Sequence, residues 1–188
     1  MDGSLKEQLM ELMLKIGAFK FGSFTLSSGK KSSYYVDARL VSNHALGGPL
    51  VGQLILDLFE EQGLAPDSIG GLEAGAISVS CHVQAAAHYQ GNAPIQGFYV
   101  RKKPKGHGLK KSIEGNLREG DNVVIAEDVI TTGGSAGKAI EAAEAAGAKV
   151  LAVVAIIDRE EGGRENLEEQ GHKVFSLLKS SDFQDVKQ

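Results

Sequence analysis

The chain has 188 residues, 42% hydrophobic and 23% charged, which excludes wholesale disorder and predicts one domain whose core needs neither disulfides nor a structural metal. Its formal net charge of −4 argues against a dedicated nucleic-acid binder, because phosphate backbones reward basic faces. The single cysteine, Cys81, can make no internal bridge and suits a reducing cytoplasm, and no apolar run approaches the ~20 residues that span a bilayer.

In chain order, Ser4 and Glu7 form a capping-box pattern ahead of Leu5, Leu9, Leu12 and Ile16 at helical spacing, which predicts an amphipathic helix rather than a secretory signal. Phe21 to Leu40 is rich in serine, glycine and aromatics and reads as extended or loop structure. Leu46 to Glu61 is a second helical pattern, closed by Gly63. Strands are then predicted at Ser68–Leu72, Ile95–Val100, Asn122–Ile125 and Lys149–Ile157, with helices at Ile77–Tyr89 and Ala136–Ala146 between them and a last strand near His172–Leu178. This alternation predicts an α/β fold with a mostly parallel sheet flanked by helices. Ligands then belong beyond the carboxyl ends of the strands, so the informative loops follow Leu72, Val100, Ile125 and Ile157. Cys81 reads as a buried small side chain, and His44, His82 and His88 as packing or surface residues without metal-ligand spacing.

Two stretches carry chemistry. In Asn122–Ser135 an apolar strand runs into Glu127 and Asp128, then into Thr131, Thr132, Gly133, Gly134 and Ser135, which open onto an alanine-rich helix. Glycines permit close backbone approach, hydroxyls add donors, and a helix N-terminus supplies free N–H groups, so the turn suits a phosphate monoester. The two carboxylates repel that phosphate and suit sugar hydroxyls or a cationic centre beside it. The spacing fits neither a Walker A loop nor a Gly-x-Gly-x-x-Gly turn. The second stretch gathers Arg101, Lys102, Lys103, Lys105, Lys110 and Lys111 with no acid among them. Such a segment self-repels until a polyanion arrives; the plainer alternative is a solubilising surface.

Val123–Ser135 resembles the phosphoribosyl-pyrophosphate (PRPP) motif of type I phosphoribosyltransferases. Phe24–Asp37, with Ser28, Gly29, Tyr34 and Tyr35, resembles the N-terminal signature of orotate phosphoribosyltransferases, and Arg101–Gly108 resembles their catalytic loop. The resemblance implies a type I phosphoribosyltransferase fold over residues 1–188, with 1–45 and part of the C-terminus forming a hood over the base site. It implies transfer of ribose 5-phosphate from PRPP to orotate with Mg2+, giving orotidine 5′-monophosphate and pyrophosphate in UMP synthesis. No metal ligand is assigned, since Mg2+ is expected to arrive on PRPP.

By the same resemblance the catalytic residues are Lys105, Asp128 and His107. Arg101, Lys102, Lys105 and His107 would contact the diphosphate, with Lys105 supplied across a homodimer interface, and Ala74 and Gly75 would bind it through backbone groups. Glu127 and Asp128 would hold the ribose hydroxyls, and Thr131 through Ser135 the 5′-phosphate. Tyr34 or Tyr35, Thr131 and Arg159 would meet orotate; a salt bridge from Arg159 to Glu160 or Glu161 is the bland alternative. Alternation along an extended segment lets only one of the two tyrosines stack on the base. Glu73 is odd beside an anion and points at a metal-bound water or away. Ser27 stands where several relatives carry lysine. The competing readings are a transferase for a purine or another base, and a PRPP-sensing regulator; neither nucleic acid nor a membrane is an expected partner.

Overall fold

The computed structural model describes residues 3–25, 29, 31–103 and 112–184; Ser27, Lys105 and His107 lie outside them. Helix α1 (Leu5–Lys15) opens through the expected capping box, with Glu7 N donating to Ser4 Oγ and Ser4 N donating to Glu7 Oε2 at 2.7 Å. The serine- and aromatic-rich segment forms an antiparallel hairpin of β1 (Phe19–Thr25) and β2 (Lys31–Val36), followed by the short α2 (Arg39–Ser42). Helix α3 (Gly47–Glu61) packs on α4 (Gly75–Tyr89). A side chain at Gly52 would strike the backbone of His82, so the helices approach closely there and His82 serves packing.

The remaining elements are β3 (Ser68–Leu72), β4 (Gln96–Val100), β5 (Ile113–Gly115), β6 (Asn122–Ile130), α5 (Gly134–Ala145), β7 (Lys149–Asp158), α6 (Gly163–Glu169), β8 (Val174–Lys179) and a 3-10 turn at Ser180–Phe183. The strands form one sheet in the order β5-β4-β3-β6-β7-β8, parallel except for β5. Valine and isoleucine fill β6 and β7 because both faces are covered. Val124, Ala126, Val154 and Ile156 pack toward α1, α3 and α4, whereas Val123, Ile125, Val153 and Ala155 pack toward α5 and α6.

The topology fixes where a ligand sits. From β3 the chain crosses through α4 to β4 on one side; from β6 it crosses through α5 to β7 on the other. The carboxyl ends of β3 and β6 therefore flank a switch point, where adjacent loops part and leave a crevice.

Two expectations need correction. The strand predicted at Asn122–Ile125 does not end there but runs to Ile130, because Glu127, Val129 and Ile130 keep their parallel pairing with Ala155, Ile157 and Asp158. Cys81 is exposed: Ala76, Val79, Ser80, Val83 and Ala87 form the inward stripe of α4, and Cys81 falls off it.

Candidate active site

Along β6 successive side chains point to opposite faces, so Glu127 follows Ile125 toward α5 and Asp128 follows Ala126 toward α4. The pair thus straddles the sheet edge at the switch point. Both line a cleft of about 300 Å³ with Leu72–Gly75, Lys102, Thr131, Ser135, Arg159 and Val36–Arg39. Asp128 Oδ1 accepts a hydrogen bond from the Val129 N–H at 2.9 Å, which fixes its rotamer. Gly75 approaches so closely that a methyl group there would lie 2.5 Å from Asp128 Oδ1.

Two helix ends open onto this crevice. Helix α5 starts from Gly133, which is left-handed at φ 80, and no side chain caps it. A residue other than glycine would bear strain there, and its side chain would meet the Gly163 carbonyl at 2.9 Å. The free N–H groups of that turn face a cavity of about 270 Å³ lined by Glu127, Thr131, Thr132, Gly133, Gly134, Ser135 and Lys138. Helix α4 begins at Gly75, likewise without a side-chain cap, at the other side of the acid pair. Each end carries the positive pole of its helix.

Burial pushes the Glu127 carboxyl up, and the neighbouring Asp128 reinforces the shift, to about 8. Its Oε2 is buried without a hydrogen-bond partner. The sign of the linked stability follows. The folded state holds this proton more tightly than the unfolded chain, so the contribution is complete below about 4.5 and is lost as pH rises through about 8. Glu127→Gln removes that dependence. The ligand-free variant should lose less melting temperature between pH 5.5 and 8.5 than the parent, measured by thermal denaturation; an unchanged pH slope would contradict the assignment.

Lys102 lines the cleft, and its backbone N–H donates to Glu73 Oε1 at 2.8 Å, so Glu73 ties the loop after β3 to the root of the basic segment. Arg101 lies beside Lys102 in an adjoining cavity of about 540 Å³, with Nη1 3.6 Å from Glu114. Arg39 was missed in the sequence. It lines the cleft, with its fork held by Asp37 at 2.9 and 3.1 Å, and that bond raises the guanidinium and lowers the carboxyl in pKa. Only the Asp-x-Arg spacing Asp37–Arg39 hinted at such a clamp.

The expected base-site residues separate. Tyr34 lies parallel to Phe19 at 5.3 Å between ring centroids and does not line the cleft; its hydroxyl donates to the Arg159 carbonyl at 3.0 Å. Tyr35 points outward, 39% exposed, toward Phe24. Arg159 lines the cleft, and its Nη2 is 2.8 Å from Glu161. Glu160 instead accepts from Ser180 and Ser181, so of the two acids only Glu161 pairs with Arg159. Among the described residues no three His, Cys, Asp or Glu side chains form a metal-ligand group, and no helix is long and apolar enough to cross a membrane.

Two uncapped helix ends with the acid pair between them suit a ligand that carries anions at both ends and hydroxyls between, the arrangement expected of a type I phosphoribosyltransferase. The comparisons agree. The phosphoribosyl transferase domain family matches residues 41–183. The orotate phosphoribosyltransferase of Aquifex aeolicus is 45% identical over 160 residues, covering 85% of this chain and 86% of that one. A crystal structure of orotate phosphoribosyltransferase from Mycobacterium tuberculosis H37Rv superposes with a TM-score of 0.83 at 34% identity, covering 95% and 98% of the two chains. Another structure of that enzyme, in complex with PRPP, gives 0.79 at 31% identity with the same coverage. The chain belongs to the orotate phosphoribosyltransferase family and is an enzyme of that activity.

Proposed function

We propose that the cleft at the β3/β6 switch point binds PRPP and transfers its ribose 5-phosphate to orotate. The single observation that carries this reading is the placement of Glu127 and Asp128 between two uncapped helix N-termini. The α5 turn, Thr131 through Ser135, holds the 5′-phosphate through backbone N–H groups and hydroxyls. Glu127 and Asp128 accept hydrogen bonds from the ribose 2′- and 3′-hydroxyls. The α4 end, Ala74 and Gly75, receives the diphosphate, with Arg101, Lys102, Lys105 and His107 gathering its charge.

The bond from the anomeric carbon to the diphosphate oxygen breaks as the bond to the orotate ring nitrogen forms. Positive charge builds on the sugar, as in glycoside cleavage, and the Asp128 carboxylate is the group suited to stabilise that charge. Orotate gives up the proton of its attacking nitrogen; His107 is the residue of the basic segment suited to pass it on. Arg159 meets the base carboxylate, Tyr34 holds Arg159, and Thr131 completes the base side, whereas Tyr35, which points outward, takes no part.

Mg2+ fits this donor set: Glu127 Oε2, unpartnered in the ligand-free protein, would become a hard oxygen ligand beside Asp128 as the cation displaces the carboxyl proton. When bound on the diphosphate, the ion neutralises leaving-group charge. The hairpin and the 3-10 turn act as a hood within a single domain spanning 1–188, a homodimer supplies Lys105 from the partner subunit, and the enzyme works in the cytoplasm. Orotate loss followed by ultraviolet absorbance should require both PRPP and Mg2+ and release one pyrophosphate per orotate. Consumption of adenine, guanine or xanthine instead would overturn the base assignment.

A further inference from the structure

The loop after β7 is clamped at almost every point. Asp158 Oδ1 accepts from the Glu160 N–H at 2.8 Å, and Asp158 Oδ2 holds Arg164 Nε at 3.1 Å. The Arg159 carbonyl accepts from Tyr34 and Ser180, and the Glu160 carboxylate is filled by Ser180 and Ser181. Those serine hydrogen bonds outweigh burial and hold the Glu160 carboxyl below its usual range. Glu161 is the exception. Its side chain is 34% exposed, and among the described residues its one ion-pair partner is Arg159.

Arg159 is held differently. Its side chain is only 10% exposed and lies over the Tyr34 ring at 5.2 Å. Nε and Nη2 are both buried with no aligned hydrogen bond, although Glu161 Oε1 stands 2.8 Å from Nη2. Those two nitrogens form the edge of a guanidinium that takes a planar carboxylate in two parallel bonds. Glu161 balances the charge from one corner without filling that edge. A buried cation lacking any counter-charge would be costly, so the balance matters before ligand arrives.

We infer that Glu161 is a resident counter-carboxylate that holds Arg159 charge-balanced in the free enzyme and yields it to the carboxylate of orotate, setting affinity for the acidic base. The inference rests on the reading that Arg159 faces orotate. Glu161 is open enough to swing into water, and the incoming carboxylate takes its place as the counter-charge, so Arg159 is never left unbalanced. Glu161 is therefore a positioning and specificity residue rather than a catalytic one.

Glu161→Gln in the full-length enzyme should lower the orotate KM about 3- to 10-fold, the scale of losing one competing surface carboxylate, with no matching fall in the PRPP KM. Inhibition by uracil, which lacks the carboxylate, should not tighten. An unchanged or raised orotate KM overturns the inference, and so does an equal gain for orotate and uracil. Glu161→Ala repeats the measurement should the glutamine variant misfold. Arg159→Lys separates the two claims. If it leaves the orotate KM unaltered, the base-site reading fails; if it raises that KM while Glu161→Gln does not lower it, only the present inference fails.

Discussion

Asp128→Asn should lower kcat by about 10²- to 10³-fold while changing PRPP affinity far less, because it removes one preorganised group aimed at developing charge, worth roughly 3–4 kcal/mol of barrier. The substitution keeps the shape and one acceptor oxygen, so the Val129 N–H retains its partner. What disappears is the negative charge beside the anomeric carbon. Ground-state PRPP, anchored by its two phosphate ends, is held largely by other groups, so the loss falls on the transition state. Steady-state kinetics with calorimetric PRPP binding would check this; a loss confined to PRPP affinity would make Asp128 a binding residue only.

Gly75→Ala should cut kcat about 10- to 100-fold, a fraction of that barrier contribution, through Asp128 rather than through the fold. The new methyl group would occupy the space of the Asp128 carboxylate, a short side chain pinned by Val129 that must then rotate away. Alanine is otherwise welcome in a helix, so the melting temperature should hold or rise slightly. The decisive comparison is the double variant. If Gly75→Ala acts by displacing Asp128, adding it to Asp128→Asn should cost little more, a strong departure from additivity. Additive losses would mean that the α4 end contributes independently of the carboxylate.

Local signals in the chain wrote much of this architecture. The Ser4–Glu7 box, the short apolar runs at Ser68, Asn122 and Lys149 and the alanine-rich helix at Gly134 depend on near neighbours, and each begins at or within two residues of its expected start. The phosphate turn was equally visible, since glycine, hydroxyls and a helix start are contiguous. Features set by distant partners were not. The last five residues of β6 are strand because β7 pairs with them, and β5 is three residues long and exists through β4. Helix α6 begins at Gly163 after the left-handed Gly162, with Leu167 as its one large buried side chain, too little for an apolar stripe. Arg39 reaches the cleft because the hairpin and α2 fold back over the sheet, and nothing local to Asp37–Arg39 says so. The tyrosines show both sides of the matter. Their alternation was legible, but the contact of Tyr34 with Arg159 spans 125 residues of sequence.

Soaking crystals of the full-length protein with PRPP and Mg2+ tests the central claim most directly. The account predicts the 5′-phosphate within hydrogen-bond distance of the Thr131–Ser135 backbone, the ribose hydroxyls on Glu127 and Asp128, and the diphosphate at the N-terminus of α4. PRPP bound with its 5′-phosphate anywhere other than the α5 turn would contradict it.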